Sequence, residues 1–446
     1  MSDHSPRRLP VQEGPAAWNS ILGAQPARPA LAGERTADFV VIGAGFAGLS
    51  AARRLRQLQP NARIAVLEAG QVAGGSAGRN SGFMIDLPHD LASEDYAGAG
   101  DDRAVIDLNR HAIGFAREAV AEYGIDPNYF DPAGKINGAV TETAQAHNES
   151  YARHLASLGE GSEMLDPQQM HELTGSRHYI SGLYTPGTVM LQPAGYIRGL
   201  AAGLSAQGVD IYENSAVTGL NRQGNGWHVS TRGGAISAGA VILTVNGHLE
   251  SFGFERGRLM QLFLYAVMTP ELPPEALAKL GGAPRWGITP SDPMGTTVRR
   301  IDTGQGGNRI ITRTCATLCP STVPSKSEMR RAAKVMQRKF DQRFPQLAGL
   351  QMEYAWAGLL CLSLNSVSVM RKLDEGLYSG CVQNGLGTAR GTLTGIGAAE
   401  LACGETSAIT AHFGAEARPK RLPPQPFQQI GANAVLRWKE WRARED

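Results

Sequence analysis

The chain has 446 residues, 42% hydrophobic and 19% charged. That balance excludes a disordered chain and predicts more than one core. A formal net charge of only +2 gives no support to nucleic-acid binding, and no apolar run reaches membrane-spanning length. Cys315, Cys319, Cys361, Cys381 and Cys403 are odd in number and scattered. They read as reduced thiols with no disulfide framework and no metal site, and the polar start from Met1 to Gly14 lacks an apolar leader. Both features predict a cytoplasmic protein.

Residues 1–36 read as an arm that Trp18 and Ile21 could anchor. Phe39-Val40-Val41-Ile42 is β-branched and apolar, the pattern of a strand buried on both faces. The turn Gly43-Ala44-Gly45-Phe46-Ala47-Gly48 follows, then a helix over 47–58 and a second strand over 63–67 that ends at Glu68. This is a βαβ unit of the size a parallel crossover requires. Helical periods follow around 103–123 and 144–159, then a helix near 195–206 and a strand at 209–212. A hairpin turning at Asn225-Gly226 leads to a buried strand over 240–244 that closes on Asn246-Gly247. Residues 258–370 read as strands broken by a helix at 327–343. The glycine-rich turn from Gly385 to Gly395 precedes a helix over 396–402, and an amphipathic helix with Trp438 and Trp441 ends the chain. The predicted fold is α/β. A Rossmann-like cofactor domain (37–95, 192–255 and 376–412) is interleaved with an α+β substrate domain (96–191 and 256–375) whose sheet is mostly antiparallel, and 413–446 forms a tail.

Gly43, Gly45 and Gly48 satisfy G-x-G-x-x-G between a strand and a helix. The first permits a tight turn, the second admits a pyrophosphate and the third lets helix and strand pack closely. The helix N-terminus offers N–H groups to the diphosphate. Glu68, twenty residues past Gly48, is placed to accept hydrogen bonds from a ribose diol and would repel a 2′-phosphate.

Three features favour FAD over NAD. In Gly74-Gly75-Ser76-Ala77-Gly78-Arg79-Asn80-Ser81-Gly82, glycines let the chain pass under an extended cofactor. There Arg79 is expected to meet a phosphate, and Asn80 a ring or ribitol oxygen. Thr244-Val245-Asn246-Gly247 supplies small residues beside the adenosine half. The late turn with Gly387, Arg390, Gly391, Thr392, Leu393 and Thr394 aims a helix N-terminus at the edge where reduced flavin carries negative charge.

This order of motifs resembles the D-amino-acid-oxidase superfamily of FAD-dependent oxidoreductases, most of all its gamma-glutamylputrescine oxidase and glycine oxidase branch. The arm with Trp18, Val40 to Gly48, Glu68, Ser76 to Gly82, Gln192-Pro193-Ala194, Asn246-Gly247, Trp356-Ala357-Gly358 and the closing turn to Gly404 carry the likeness. The resemblance implies non-covalent FAD, a small-molecule amine or amino-acid substrate, hydride transfer from its carbon–nitrogen bond to flavin N5, hydrolysis of the imine, and reoxidation by O2 or another acceptor. The expected cofactor-lining set also includes Ala69 and Val217. On the substrate side the candidates are His89, Arg390 and Trp356, with Phe83, Met84 and Asp86 running along the ring. One of Arg299, Arg300, Arg309 and Arg313 could bind a carboxylate. Cys361 lies near the position of a flavin-linking cysteine in some relatives. No lysine lies between Arg256 and Pro270, where an oxygen-activating one is expected. Two other readings share these motifs: a flavin-linked 2-hydroxyacid or glycerophosphate-type dehydrogenase, and a non-catalytic flavin-binding maturation partner.

Overall fold

The strand Gly33–Ile42 runs at the centre of a sheet, parallel to Gly234–Leu243 on one side and to Ile64–Leu67 on the other. Val40, Val41 and Ile42 are buried, as a strand covered on both faces requires. The computed structural model describes residues 4–88, 101–292 and 294–446. Outward from the centre, the strand Asp210–Tyr212 pairs parallel with Ile64–Leu67. On the opposite side the hairpin of Gly219–Gln223 and Gly226–Ser230 pairs with the first half of Gly234–Leu243. The second half of that strand pairs parallel with Leu377–Cys381, which carries Val369–Asp374 beside it. The hairpin pairs Gln223 with Gly226, so its turn is Gly224-Asn225, one residue earlier than expected, with Gly224 at φ +57°.

Helix Phe46–Leu58 crosses this sheet and meets helix Ala389–Cys403 so closely that a Cβ on Gly395 would lie 2.1 Å from the Ala47 carbonyl. The latter helix starts at Ala389, a full two turns before the expected 396. The Gly391-Thr392-Leu393-Thr394 run is therefore helix, not turn. Its threonine hydroxyls bond back to the helix's own carbonyls, Thr392 to Thr388 and Thr394 to Gly391, so they do not break it.

A second sheet of eight strands runs Tyr354–Ser363, Leu259–Met268, Arg309–Leu318, Thr297–Ile301, Trp286–Pro290, Lys135–Ala139, Ser181–Thr185 and Glu163–Leu165. Only Trp286–Pro290 and Lys135–Ala139 pair in parallel. Helix Lys326–Arg343 covers one face through Ala332, Met336 and Phe340. A small third sheet, Phe83–Met84, Val189–Leu191 and Phe130–Asp131, links the two. The tail helix forms as expected, over Phe427–Arg442, and Trp438 and Trp441 face outward. Among the described residues no helix is long and apolar enough to cross a membrane.

Candidate functional site

A cleft opens at the C-terminal ends of the parallel strands and runs against Leu259–Met268, Arg309–Leu318 and Tyr354–Ser363 of the second sheet. This is where open α/β sheets bind ligands. The three loop glycines have three different environments. Gly43 sits at φ +106°, and a Cβ there would lie 2.8 Å from the Thr244 carbonyl. A Cβ on Gly48 would be 1.8 Å from the Gly43 carbonyl, so strand and helix can touch only through glycine. Gly45 is the opposite case. Its Cβ would meet only the Ala77 methyl, at 3.6 Å, and otherwise faces the cleft. Gly45 is also the N-cap of helix Phe46–Leu58, which no side chain caps. Its first N–H groups point where a diphosphate would lie.

Glu68 accepts hydrogen bonds from the backbone N–H groups of Ala44 (2.9 Å) and Gly70 (3.0 Å). Burial pushes its pKa above the usual carboxylate value, partly offset by these donors. Each carboxylate oxygen retains lone pairs for a ribose diol. A glycine open to the cleft, an uncapped helix end and a carboxylate fixed at the strand's end together fit the adenosine diphosphate half of FAD.

Of the residues expected at the cofactor, Gly43, Gly45, Phe46, Ala47, Glu68, Ala69, Ser76, Arg79, Asn80, Ser81, Val217, Asn246, Gly387 and Gly391 line this one cleft. Gly48, Gly78, Gly82 and Gly247 lie behind it. Gly78 presses on the Ala73 carbonyl, Gly82 (φ +77°) on Arg299, and Gly247 on Gln261. Leu393 is buried in the core, and Thr392 and Thr394 are buried within their helix.

Four expected roles change. Arg79 donates to the carbonyls of Gly74 (2.7 Å), Glu13 (2.8 Å), Gly14 (2.8 Å) and Ala357 (3.2 Å), so its guanidinium is taken up by main chain rather than free for a phosphate. Asn80 likewise bonds the Ala77 carbonyl and the Gly82 N–H. Trp356 is fully buried, off the cleft, and donates its indole N–H to the Arg79 carbonyl at 3.0 Å. Trp18 does the same to the Asn80 carbonyl at 2.9 Å. These two tryptophans hold the 76–82 loop, and neither lines the cleft. Arg390 turns away from the cleft, ion-paired to Glu416 and bonded to Ser368 at 2.7 Å. Because the turn around it is helical, the side chain projects from a different face than a loop would give it. His89 lies outside the described residues.

The four arginines of the second sheet separate cleanly. Arg299 is buried and bonds the Leu191 carbonyl and Gln305. Arg300 bonds the Gly281 carbonyl, and Arg309 pairs with Glu353. Arg313 alone of the four lines the cleft, beside Leu264, Tyr265 and Ala266. Among the described residues it has no carboxylate within ion-pair range, and burial brings its pKa down to about 10, leaving it charged at neutral pH.

The N-terminal arm also lines the cleft, through Pro6 and residues 8–12, which no local pattern in those residues marks. One end of the arm is held by Arg79 at Glu13 and Gly14. The other is held by backbone bonds from His4 to Leu220 and from Arg7 to Ser251. Cys361 lines the cleft too, but burial raises its thiol pKa well above the ordinary value. A protonated thiol is a poor nucleophile, which fits a non-covalent cofactor.

His248, also on the cleft, is brought by burial from 6.5 to about 4. The unfolded chain therefore takes up this proton at a higher pH than the folded one. The stability His248 contributes is complete above about 6.5 and is lost as pH falls towards 4. His248→Gln is expected to flatten part of the acid limb of the melting temperature between those values. An unaltered limb would show that His248 titrates normally in the fold.

Residues 38–401 match the family described as FAD dependent oxidoreductase (DAO). The chain is 24% identical to the gamma-glutamylputrescine oxidoreductase of Escherichia coli K12, over 88% of each chain. It is 25% identical to the probable oxidoreductase OrdL of Haemophilus influenzae, over 84% of each. Its fold is similar to the crystal structure of glycine oxidase from Geobacillus kaustophilus, with a TM-score of 0.69 at 18% identity, covering 87% of this chain and 100% of that one.

Proposed function

Because the chain belongs to the DAO family of FAD-dependent oxidoreductases, enzymes that act on amines or amino acids, we propose that its substrate is a small amine bearing a carboxylate. The observation that carries this reading is Arg313, a charged guanidinium on the cleft wall without a carboxylate partner among the described residues. Arginine's planar fork suits bidentate binding of a carboxylate, and a desolvated cleft strengthens that bond. When bound, FAD supplies the hydride acceptor for oxidation of the substrate's carbon–nitrogen bond, the imine is hydrolysed by water, and O2 is the terminal oxidant.

The chain's own residues then have three tasks. The loop from Gly43 to Gly48 and Glu68 hold the dinucleotide end. The 76–82 loop, fastened by Arg79, Trp18 and Trp356, fixes the cleft wall between the two sheets. Arg313 orients the substrate by its carboxylate while Leu264, Tyr265 and Ala266 exclude water beside it.

Matched substrates test this reading: an amino acid, the amine lacking its carboxylate, and the corresponding 2-hydroxy acid. The amino acid is expected to give the highest kcat/KM. Faster turnover of the hydroxy acid would contradict carbon–nitrogen oxidation, and equal turnover of the bare amine would contradict the role of Arg313.

A further inference from the structure

The helix Phe427–Arg442 is fastened to the body by polar bonds on its inner face. Strand Thr297–Ile301 stops pairing at Arg313, leaving the edge of Arg309–Leu318 open beyond that point. The helix closes this edge. Asn433 accepts from the Leu318 N–H (2.8 Å) and donates to the Leu318 carbonyl (3.1 Å). Glu440 accepts from the Ala316 N–H (3.0 Å) and pairs with Arg331 (2.9 Å). Arg437 donates to the Ala316 carbonyl at 3.2 Å. An uncovered edge of this kind invites pairing with another chain, and the helix removes it.

The outer face of the helix is unusual for one so firmly docked. Phe427, Ile430, Val435, Trp438 and Trp441 are 71%, 66%, 52%, 51% and 60% exposed. Phe427, Ile430, Ala434, Trp438 and Trp441 follow one another at three- and four-residue steps and so form one stripe along the helix. A surface helix normally turns polar residues outward. A continuous apolar stripe left in water marks an interaction site. Lys439 and Arg442 flank the stripe on one side and Arg444 follows it, all three exposed. The Arg442 guanidinium lies 5.1 Å over the Trp438 ring, and that of Arg444 lies 4.8 Å over Trp441. Arg418, Lys420 and Arg421, also exposed, lead into the helix. The acidic Glu440 points inward, and Glu445 is paired with Arg444.

We propose that this face docks on an anionic lipid surface, with the helix lying in the plane of the headgroups. Aromatic side chains at the apolar–polar boundary and cations beside them are the two components such a helix requires. A second copy of the chain fits less well, because the helix turns its one acid, Glu440, inward to Arg331 and so offers no outward carboxylate to meet the partner's cations. The docking is peripheral, and the oxidoreductase body stays outside the bilayer.

Sedimentation of the flavin-loaded protein with vesicles tests this. Vesicles of phosphatidylcholine alone are compared with vesicles that also contain phosphatidylglycerol. The protein is expected to pellet with the anionic vesicles and to be released by salt. The double substitution Trp438→Ser, Trp441→Ser should weaken binding at least about tenfold, and Lys439→Glu, Arg442→Glu should abolish the preference for anionic lipid. Both variants should keep the flavin spectrum and melting temperature, since the altered side chains are exposed. Failure of the unaltered protein to pellet with either vesicle would overturn the proposal. So would a lipid-free dimer that the tryptophan substitutions turn into a monomer, which would identify a second copy as the occupant.

Discussion

Replacing Gly45 by valine is expected to abolish FAD retention while leaving the fold intact. The branched side chain would project into the cleft at the mouth of helix Phe46–Leu58, where the diphosphate must approach the backbone N–H groups. Inside the protein it would find only the Ala77 methyl, at ordinary contact distance from its Cβ. The expected result is a weakening of FAD binding by more than about a hundredfold, read as colourless protein after desalting, with the far-ultraviolet circular dichroism of the parent. Gly48→Ala should do the reverse. Its methyl would collide with the Gly43 carbonyl, and overpacking of that kind costs about 1–3 kcal/mol or more. The pair therefore separates loss of cofactor from loss of fold. A yellow Gly45→Val protein would mean that the diphosphate lies elsewhere.

Arg313→Leu is expected to raise KM for a carboxylate-bearing amine by about 10- to 100-fold, the worth of a charge-assisted bond of about 1.5–3 kcal/mol. Turnover of an amine without a carboxylate should change little, because no partner is lost. Stability should hold or rise, since the guanidinium is desolvated and without a carboxylate partner among the described residues. Arg313→Lys restores the charge but not the planar fork, so it should recover only part of the affinity. A fall in melting temperature with unaltered KM would assign Arg313 to the fold instead.

How far the sequence could be read follows from the range of each interaction. The βαβ unit was legible because its signals are local: a β-branched run, a glycine spacing and a carboxylate at the end of the next strand. The helices at 102–123, 142–157 and 326–343 were legible for the same reason. Arg79 and Arg390 were harder. Both sit in glycine-rich segments, and what decides their roles is distant in sequence: the Glu13, Gly14 and Ala357 carbonyls for one, Glu416 for the other. Trp356 was ambiguous for the same reason, its indole partner being Arg79. Arg313 could be told from Arg299, Arg300 and Arg309 only once strand pairing had placed each one. Nothing local in the proline-bearing arm signals that it lines the cleft. The outward turn of Trp438 and Trp441 was hidden because the inner face is made by Ala432 and Leu436 together with the polar Asn433, Arg437 and Glu440.

The most direct measurement is an anaerobic absorbance titration of the purified protein with amines, amino acids and 2-hydroxyacids. A carboxylate-bearing amine is expected to bleach the flavin bands, and air to restore them with release of hydrogen peroxide. Bands bleached by a hydroxyacid and untouched by every amine would contradict carbon–nitrogen oxidation.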